Sequence, residues 1–572
     1  MQPSILFNDS KEARDMISRL CCCLLFLLIV NSSTLTGQLH AQAKLVGHWP
    51  LTADATDASG NNHNGTLHNV DFNGSSALFD GRGSWIDLGN GKNLIDSTED
   101  FAISVRLHTE EALTDVIGDI LSWYDPDTRT GINFSIMNYA GVTNAQSNWR
   151  NVHFGIDADI KTEWKDCGRP GNNMYVRSLT VFDGELYAST WEPEAGDRGH
   201  IYRYAGGTEW VDCGSPDPSN CISTMGVFNG RLYAGSELYS GVGSSLPLSP
   251  NEEHGGVVYR YEGGTKWTSM GKVADVRAIS GFAVYDGKLY AGTGSTGAWR
   301  DTPRHRGMYR FDGPNEWVSC GCPGLRVVHL GVHNDQLFGL SYDDGGFFRY
   351  KGAEDWLRLG PIPETTQAYS MAVYESQVHV GTWPTGSVYR LDGPQKWHNT
   401  GRLGEEKEVM GMLVYNGKLY AGTLPLAAVY RYDTDGWSNT GQLDNTPDVR
   451  YRRAWSMAVY NGKLYCGVLP SGHVHSMEAG KSVTHDKALP SGWQHLIVSR
   501  TGNSDGSGTL RLLVNGKEVA SQKFKENSKY QISNDKPFKV GAGQHDFFNG
   551  SIRDLRIYQG KLTLRQLREL TK

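Results

Sequence analysis

The chain has 572 residues, enough for two or three domains. Glycine is plentiful at 69 residues and charged residues make up only 20%, which is typical of a β-rich protein with many turns and excludes a mainly helical one. The formal net charge of −7 and the pI near 6.2 give no electrostatic basis for binding nucleic acid or an anionic membrane.

The N-terminus has the order of a secretory leader. Two arginines precede the apolar run 20–30, and small residues follow at its end, so we predict a signal peptide over 1–43 with cleavage after Ala43. The acidic first segment fits a leader poorly, which makes Met16 an alternative start. The apolar run is too short for a bilayer core, which needs about twenty residues. We therefore expect an exported protein (secreted, periplasmic or cell-surface associated) with no membrane span in its mature form.

The next segment consists of short alternating strands separated by turn glycines. Apolar and polar residues alternate in LVGHWPL (45–51), FAISVRL (101–107), INFSIM (132–137) and VHFGI (152–156). This period of two predicts strands of a two-sheet sandwich. The segment alone has too few strands to cover a core.

A ten-residue motif then recurs seven times. VYNGKLYAGT (414–423) and VYNGKLYCGV (459–468) are the clearest copies, and the other five begin at Val181, Val227, Val284, Val332 and Val373. Each copy predicts two strands joined by a tight turn, usually Asn-Gly or Asp-Gly. A Tyr-Arg-Tyr strand and a tryptophan strand follow, so the unit is four strands in about 40–57 residues, as in propeller blades.

Seven hairpins and seven tryptophan strands predict a seven-bladed β-propeller over 157–480. The first tryptophan strand, at Trp164, precedes the first hairpin, whereas no tryptophan strand follows the last one. We therefore expect a strand from the start of the array to complete the last blade and to bring the two ends of the array side by side.

The C-terminal segment completes the sandwich pattern. WQHLIVSR (493–500), LLVNGKEV (512–519) and GSIRDLRIY (550–558) are strand-like, and HWPL (48–51), DASGNNHNGT (57–66) and LFDGRGSWIDLG (78–89) belong to the N-terminal segment. In this order the motifs resemble those of the LamG-like (concanavalin A-like lectin/glucanase) jelly-roll domains, and the blades resemble kelch-like propellers. The predicted fold is thus all-β: a discontinuous LamG-like sandwich, 44–156 and 481–572, with the propeller inserted.

No catalytic motif stands out. GxSxG, HExxH, a phosphate-binding glycine loop and CxxC are absent, and the sandwich strands lack the spaced glutamates of glucanases. We therefore predict a non-catalytic binding protein for carbohydrate or an extracellular protein, through the LamG-like domain, the variable-loop face of the propeller, or both. The alternatives are a polysaccharide-acting enzyme with its site over the propeller channel and a structural interaction protein of the cell envelope.

The long variable loops of the propeller supply the candidate ligand-binding residues. Tryptophans offer flat faces to sugar rings, and charged side chains make directional hydrogen bonds. The alternative is that the tryptophans only plug the blades or cap the channel. The candidates are Arg177, Trp191, Glu192, Trp299, Arg300, Arg304, Arg306 and Trp383.

Two further predictions concern metal and sulfur. The resemblance to LamG-like domains implies one structural Ca²⁺ held by loop oxygens, with Asp57, Asn61, Asn62, Asp80 and Asp554 as candidates. The alternative is that Asp57 and Asn61 only shape a turn at Gly60. In an exported protein an even number of cysteines permits disulfides, and Cys213 with Cys221 is the preferred pair because a short connection holds both. The alternative is that some of the cysteines are only small buried apolar residues.

Overall fold

A computed structural model describes residues 42–160, 163–294, 306–532 and 534–571. Apart from its last residues, the predicted leader over 1–43 lies outside these ranges. Within them, no helix is long and apolar enough to pass through a lipid bilayer.

The strands of the first segment have the following bounds: β1 (Lys44–Trp49), β2 (Thr66–His68), β3 (Asp71–Phe72), β4 (Ala77–Asp80), β5 (Trp85–Asn90), β6 (Phe101–Thr109), β7 (Gly118–Asp125), β8 (Thr130–Tyr139) and β9 (Asn148–Ala158).

The repeat region contains β10 (Lys165–Asp166), β11 (Tyr175–Phe182), β12 (Glu185–Trp191), β13 (Ile201–Gly206), β14 (Glu209–Asp212), β15 (Cys221–Phe228), β16 (Arg231–Glu237), β17 (Val257–Gly263), β18 (Lys266–Lys272), β19 (Ile279–Tyr285), β20 (Lys288–Thr293), β21 (Gly307–Gly313), β22 (Glu316–Ser319), β23 (His329–His333), β24 (Gln336–Leu340), β25 (Phe347–Gly352), β26 (Asp355–Arg358), β27 (Gln367–Tyr374), β28 (Gln377–Trp383), β29 (Ser387–Gly393), β30 (Lys396–Arg402), β31 (Glu408–Tyr415), β32 (Lys418–Leu424), β33 (Ala428–Asp433), β34 (Gly436–Gln442), β35 (Arg453–Tyr460), β36 (Lys463–Leu469) and β37 (Val474–Met477).

The last segment contains β38 (Lys481–His485), β39 (Gly492–Gly502), β40 (Gly508–Val514), β41 (Lys517–Phe524), β42 (Pro537–Val540), β43 (Asn549–Gln559) and one α-helix, α1 (Leu564–Leu570). Thr563 caps α1 by accepting a hydrogen bond from the Gln566 N–H. Short 3-10 turns lie at Gly91–Asn93, Val242–Ser244 and Asn527–Tyr530.

The first and last segments build one sandwich. One sheet has the order β3-β4-β43-β6-β39-β40-β41, with β1 also paired to β43, and the other has the order β2-β5-β42-β7-β8-β9-β38. Strands from the two ends of the chain therefore alternate in both sheets. A single apolar core that includes Trp49, Phe134 and Leu496 fills the space between them. Neither segment supplies a complete sheet without the other.

The repeats build a propeller-like array, but not the seven separate blades predicted. Five four-stranded sheets stand alone, and β11–β14 and β15–β18 are joined in one eight-stranded sheet. The joint is the pairing of Trp191, at the end of β12, with Cys221, at the start of β15. The predicted count of seven is thus corrected to five separate blades, because two repeats share a sheet.

The first strands of the repeats line the centre of the array. β11, β15, β19, β23, β27, β31 and β35 contact one another in a closed cycle. The array is closed by β10, which pairs with β37 at the far end of the repeats. The residues of the two-residue hairpin turns have the left-handed backbone that such turns require. Asn416 and Gly417, for example, have φ values of 46° and 79°.

The repeated tryptophans connect neighbouring sheets. The indole N–H of Trp210 donates to the Cys167 carbonyl at 2.9 Å, and that of Trp267 donates to the Cys213 carbonyl at 2.8 Å. Trp317, Trp356 and Trp397 make the same contact one repeat further on. In these five repeats a partly buried indole N–H thus holds the end of the preceding outer strand, which explains the fixed position of the tryptophan.

The sandwich packs against the hairpin-turn side of the propeller. Both faces of β8 are buried: Phe134 lies in the sandwich core, whereas Asn133 lies beside the Asn416–Gly417 turn. Lys418 forms a buried ion pair with Asp157 at 2.7 Å, from propeller to sandwich. The polar residues on the face of β8 that points away from the sandwich core therefore contact the propeller rather than solvent.

The predicted disulfide is not present. Cys213 and Cys221 are free thiols, as are the other four cysteines of the described chain. Cys213 follows the outermost strand β14, whereas Cys221 begins the innermost strand β15, so the connection between them crosses the width of a sheet. They pack in different apolar clusters.

Candidate ligand-binding site

A loop of the sandwich fills one end of the central channel. Residues 140–147, between β8 and β9, pass among the inner strands of the propeller. The Gly141 carbonyl accepts the N–H of Met371 at 2.9 Å, and the Ser147 carbonyl accepts the N–H of Val181 at 2.9 Å. We call 140–147 the plug loop. Because it occupies the hairpin-turn end, the channel opens toward the variable loops.

A pocket of about 460 Å³ lies at that open end. Such a volume is in the range of small-molecule sites, roughly 300–1,000 Å³. Aromatic rings, arginines and two carboxylates line this pocket. The lining residues are Tyr175, Tyr239, Val242, Gly243, Arg306, Leu325, Arg326, Tyr342, Asp343, Gln367, Tyr369, Trp383, Glu408, Leu424, Tyr451, Arg453 and Trp455.

The aromatic wall surrounds one buried guanidinium. Arg177 is 1% exposed and pairs with Glu237 at 2.6 Å. Its Cζ lies 5.0 Å from the ring centre of Tyr175, 5.1 Å from that of Tyr239 and 5.3 Å from that of Trp455. Although burial opposes it, the charge of Glu237 raises the pKa of Arg177 further above its usual range. This cation fixes the three rings that form one side of the pocket.

Two further arginines bring positive charge to the pocket surface. Arg453 is 6% exposed and donates to the Gly243 carbonyl at 2.7 Å and to the Ser244 hydroxyl. The Arg326 guanidinium lies 5.0 Å from the ring centre of Tyr342 and pairs with Asp343 at 3.1 Å. Planar guanidinium groups held in this way suit carboxylate or vicinal hydroxyl groups of a ligand.

Glu408 is the buried carboxyl of the pocket. It is 3% exposed, and burial raises its pKa from the ordinary 4.5 to about 7, although the charge of Arg453 and a hydrogen bond with Tyr369 oppose the shift. Within the described chain, its Oε1 has no hydrogen-bond partner, and the same is true of the Tyr175 hydroxyl and the Arg453 Nε. A buried polar group without a hydrogen bond lowers the stability of the fold, and a polar ligand in the pocket could supply the missing partners.

Some of the predicted ligand-binding residues come together here. Trp383 and Arg306 line the pocket, and Arg177 lies behind its aromatic wall, where its buried ion pair keeps it from direct contact with a ligand. Trp299, Arg300 and Arg304 lie outside the described residues, in the gap that ends just before Arg306.

Trp191 and Glu192 are both buried beside the pocket. Trp191 is 0% exposed, because its indole N–H donates to the Tyr239 carbonyl at 3.0 Å and its ring packs edge-on against Tyr239. Glu192 is 7% exposed and accepts hydrogen bonds from Thr190 and Tyr202. Both residues stabilise the sheet next to the pocket and offer no surface to a sugar.

The calcium candidates lie in three places: Asp57, Asn61 and Asn62 in the loop between β1 and β2, Asp80 at the end of β4, and Asp554 within β43. Although burial opposes it, backbone hydrogen bonds from His48, Ser59 and His63 lower the pKa of Asp57. The Asn61 amide donates to the Val46 carbonyl at 2.8 Å. This geometry matches the turn alternative at Gly60, and calcium stays a prediction.

The remaining calcium candidates have similar local roles. Asp80 accepts the backbone N–H groups of Arg82, Gly83 and Ser84. Asp554 accepts hydrogen bonds from His48 at 3.0 Å and Arg556 at 2.8 Å. Asn62 adopts a left-handed backbone with φ of 62°.

Sequence reasoning missed most of the pocket, although one signal was available. Arg177, Tyr369 and Trp455 each lie four residues before a hairpin valine, at a shift in the register of the innermost strand. A bulge at this position turns the side chain toward the channel. The position is chemically different in almost every repeat while the flanking residues stay alike, and such variation marks a site rather than a packing position.

Comparison with family models finds one match, in the C-terminal part of the chain. Residues 440–568 match the model of the concanavalin A-like lectin/glucanases superfamily. The match begins within β34 and so includes β35–β37 of the propeller as well as the last sandwich segment. The concanavalin A-like character of this region is thereby shown. No curated protein sequence matches the chain.

Solved structures match the chain at low identity and with TM-scores below 0.5. A streptogramin B lyase is 7% identical over 56% of this chain and 99% of its own, with a TM-score of 0.44. A virginiamycin B lyase from Staphylococcus aureus, crystallised with quinupristin, is 7% identical over the same shares, with a TM-score of 0.41. A protein of unknown function from Bacteroides thetaiotaomicron is 10% identical over 78% of this chain and 99% of its own, with a TM-score of 0.32.

Proposed function

We propose that this is an exported, non-catalytic binding protein that recognises carbohydrate, and specifically acidic carbohydrate, in the pocket at the open end of the propeller channel. The observation that supports the proposal is an aromatic pocket of about 460 Å³ whose walls hold arginines and buried polar atoms that have no hydrogen-bond partner among the described residues. Export rests on the leader pattern over 1–43, and the concanavalin A-like sandwich is of a class often used for binding.

The chemistry of the walls favours sugars over purely apolar ligands. Trp383 and Tyr451 form a perpendicular pair at the rim with ring centres 6.3 Å apart, and both are half-buried. Such rings pack against the C–H faces of a pyranose. An acidic sugar would place its carboxylate near Arg453 and its hydroxyls near Glu408, which as a neutral acid can donate a hydrogen bond.

The test uses the full mature chain, 44–572, on a glycan array followed by titration calorimetry with the best uronate-containing oligosaccharide. Trp383→Ala and Tyr451→Ala should each weaken binding about tenfold or more, since each removes one ring of the rim pair. The array is repeated with a chelator, because a calcium-dependent sandwich site would lose its signal under that condition.

A matched control distinguishes the two domains. Trp493 is 38% exposed on the sandwich, with the Arg553 guanidinium 4.0 Å from its ring centre. Trp493→Ala should leave the affinity unchanged if the ligand occupies the propeller pocket. Loss of binding in Trp493→Ala, with Trp383→Ala unaffected, would instead assign the ligand to the sandwich and overturn the proposed site.

A polysaccharide-acting enzyme is the second candidate, and Glu408 is the observation that favours it. A buried carboxyl with a pKa of about 7 is suited to general acid catalysis. Mass analysis of the oligosaccharide after incubation decides between the two functions. Intact ligand supports binding alone, whereas shortened ligand that is absent with Glu408→Gln would establish catalysis.

A further inference from the structure

Three segments from the two domains meet in a second buried polar cluster. Asp115 lies between β6 and β7, Asp546 lies between β42 and β43, and His333 ends β23 at a propeller hairpin. Their exposed fractions are 1%, 0% and 5%, respectively. One potential ligand atom from each residue lies within 4.8 Å of the others. The sandwich thus supplies two carboxylates and the propeller one imidazole.

The hydrogen bonds of the cluster leave one carboxylate oxygen unsatisfied. The Asp115 Oδ1 accepts the N–H groups of Val116 at 2.8 Å and Asn334 at 2.7 Å. Within the described ranges, its Oδ2 has no hydrogen-bond partner, although the atom is buried. His333 Nδ1 lies 3.0 Å from Asp546 Oδ2, so the imidazole faces the second carboxylate.

The contact between His333 and Asp546 does not reach the other carboxylate. His333 Nδ1 faces Asp546 Oδ2 at 3.0 Å, whereas no hydrogen-bond donor of the described chain reaches the Asp115 Oδ2. A buried polar atom without a partner is costly in an apolar environment. A divalent cation between the three side chains would contact this oxygen and the other two ligand atoms at once.

We propose that Asp115, His333 and Asp546 form an interdomain binding site for a divalent transition-metal ion of the Zn²⁺ or Mn²⁺ type. Carboxylate oxygen together with imidazole nitrogen is a common donor set for such ions. Ligand atoms about 2.1 Å from a shared zinc ion lie about 3.4 Å apart in a tetrahedral site, so small side-chain rotations close the set around the metal.

Asn334 orients the imidazole ligand. Its side-chain nitrogen Nδ2 lies 2.9 Å from His333 Nε2, the nitrogen turned away from Asp546. A 180° rotation of this amide exchanges its nitrogen and oxygen, and the oxygen would then accept the Nε2–H and leave the Nδ1 lone pair for the metal. Such a partner behind a ligating histidine is the usual second-sphere arrangement. The metal would then fasten the hairpin between β23 and β24 to the sandwich.

The test is metal binding by the full mature chain. Protein treated with EDTA and dialysed into metal-free buffer is mixed with ZnCl₂, MnCl₂ or CoCl₂, and bound metal is measured by plasma mass spectrometry after gel filtration. We expect about one ion per chain, a raised melting temperature, and visible absorption bands of protein-bound Co²⁺.

Variants show whether these residues hold the ion. Asp115→Asn and His333→Gln should lose stoichiometric metal and the rise in melting temperature. Asn334→Gly keeps the left-handed backbone (φ of 50°) and should weaken affinity about 10–100-fold. Asp486→Asn is the matched control, because Asp486 also has a buried oxygen without a partner but belongs to no cluster of three potential metal ligands in the described chain. This variant should bind metal as the wild type does.

The opposite results would overturn the proposal. The proposal fails if none of the three ions binds at about 100 µM and EDTA leaves the melting temperature unchanged. The cluster is then a protonated ion-pair network. Equal loss of metal from Asp486→Asn would place the ion elsewhere. Should Asp115→Asn fail to fold, the folded Asn334→Gly variant still decides, since undiminished affinity there excludes His333 as an oriented ligand.

Discussion

Replacing Glu408 by glutamine should stabilise the protein at alkaline pH and leave its stability unchanged at acidic pH. Burial raises the pKa of Glu408 from 4.5 to about 7, against the opposing charge of Arg453. The folded protein therefore keeps a proton that the unfolded chain releases above pH 4.5. Its stabilising contribution is complete below pH 4.5, falls as the pH rises and is lost above pH 7.

The magnitude follows from the shift in pKa. A rise from 4.5 to about 7 is about 2.5 units, and each unit corresponds to about 1.4 kcal/mol, so wild type loses about 3 kcal/mol between acidic and alkaline pH. Glutamine has the shape of the neutral acid and does not titrate. Glu408→Gln should thus be about 3 kcal/mol more stable than wild type at pH 8.5 and equal to it at pH 4.5.

Urea unfolding followed by tryptophan fluorescence at both pH values measures this difference. Glu253→Gln is the control, because Glu253 is an exposed carboxylate in a variable loop, and its effect should be near zero at both pH values. The reasoning is refuted if Glu408→Gln is less stable than wild type at pH 8.5. That outcome would mean that Glu408 is ionised and paired with Arg453.

Three further predictions concern buried groups. Arg177→Met should cost about 3–5 kcal/mol in urea unfolding, because it leaves Glu237 buried without its ion-pair partner, and the double variant with Glu237→Gln should cost less than the sum of the single changes. A reducing agent should not lower the melting temperature, since Cys213 and Cys221 are free; a lower melting temperature would indicate a disulfide. Asn144→Ala should lower stability by about 1–3 kcal/mol in thermal unfolding, because it removes the plug-loop acceptor of a buried indole N–H, and no change would contradict that role.

The strands of the repeats could be predicted from the sequence because each turn depends on the residues next to it. A two-residue turn needs a left-handed backbone, and Asn416 and Gly417 are residue types that tolerate positive φ. The union of two repeats into one sheet was not readable, because it depends on one pairing between Trp191 and Cys221. Both residues lie in strands whose sequences are ordinary for the repeat.

The plug loop shows the other limit of sequence reasoning. Residues 140–147 read as a small, polar turn of the sandwich, and their main partners are backbone groups of distant inner strands such as those of Met225 and Met371. Backbone partners leave no side-chain pattern. The site was missed for a related reason: Tyr369 and Trp455 resemble core aromatics, and only the strand register turns them toward the channel.

The plug loop also explains why an inserted propeller and its host sandwich act as one unit. Trp455 lines the pocket, and its indole N–H donates to the side-chain oxygen of Asn144 in the plug loop at 3.0 Å. The Thr224 hydroxyl, on another inner strand, donates to the Asn144 carbonyl at 2.6 Å. One sandwich residue thus fixes an aromatic wall of the propeller pocket without lining that pocket itself. An aromatic platform contributes to binding only when its orientation is held, so the proposed ligand site depends on the sandwich through the hydrogen bonds of the plug loop to Trp455.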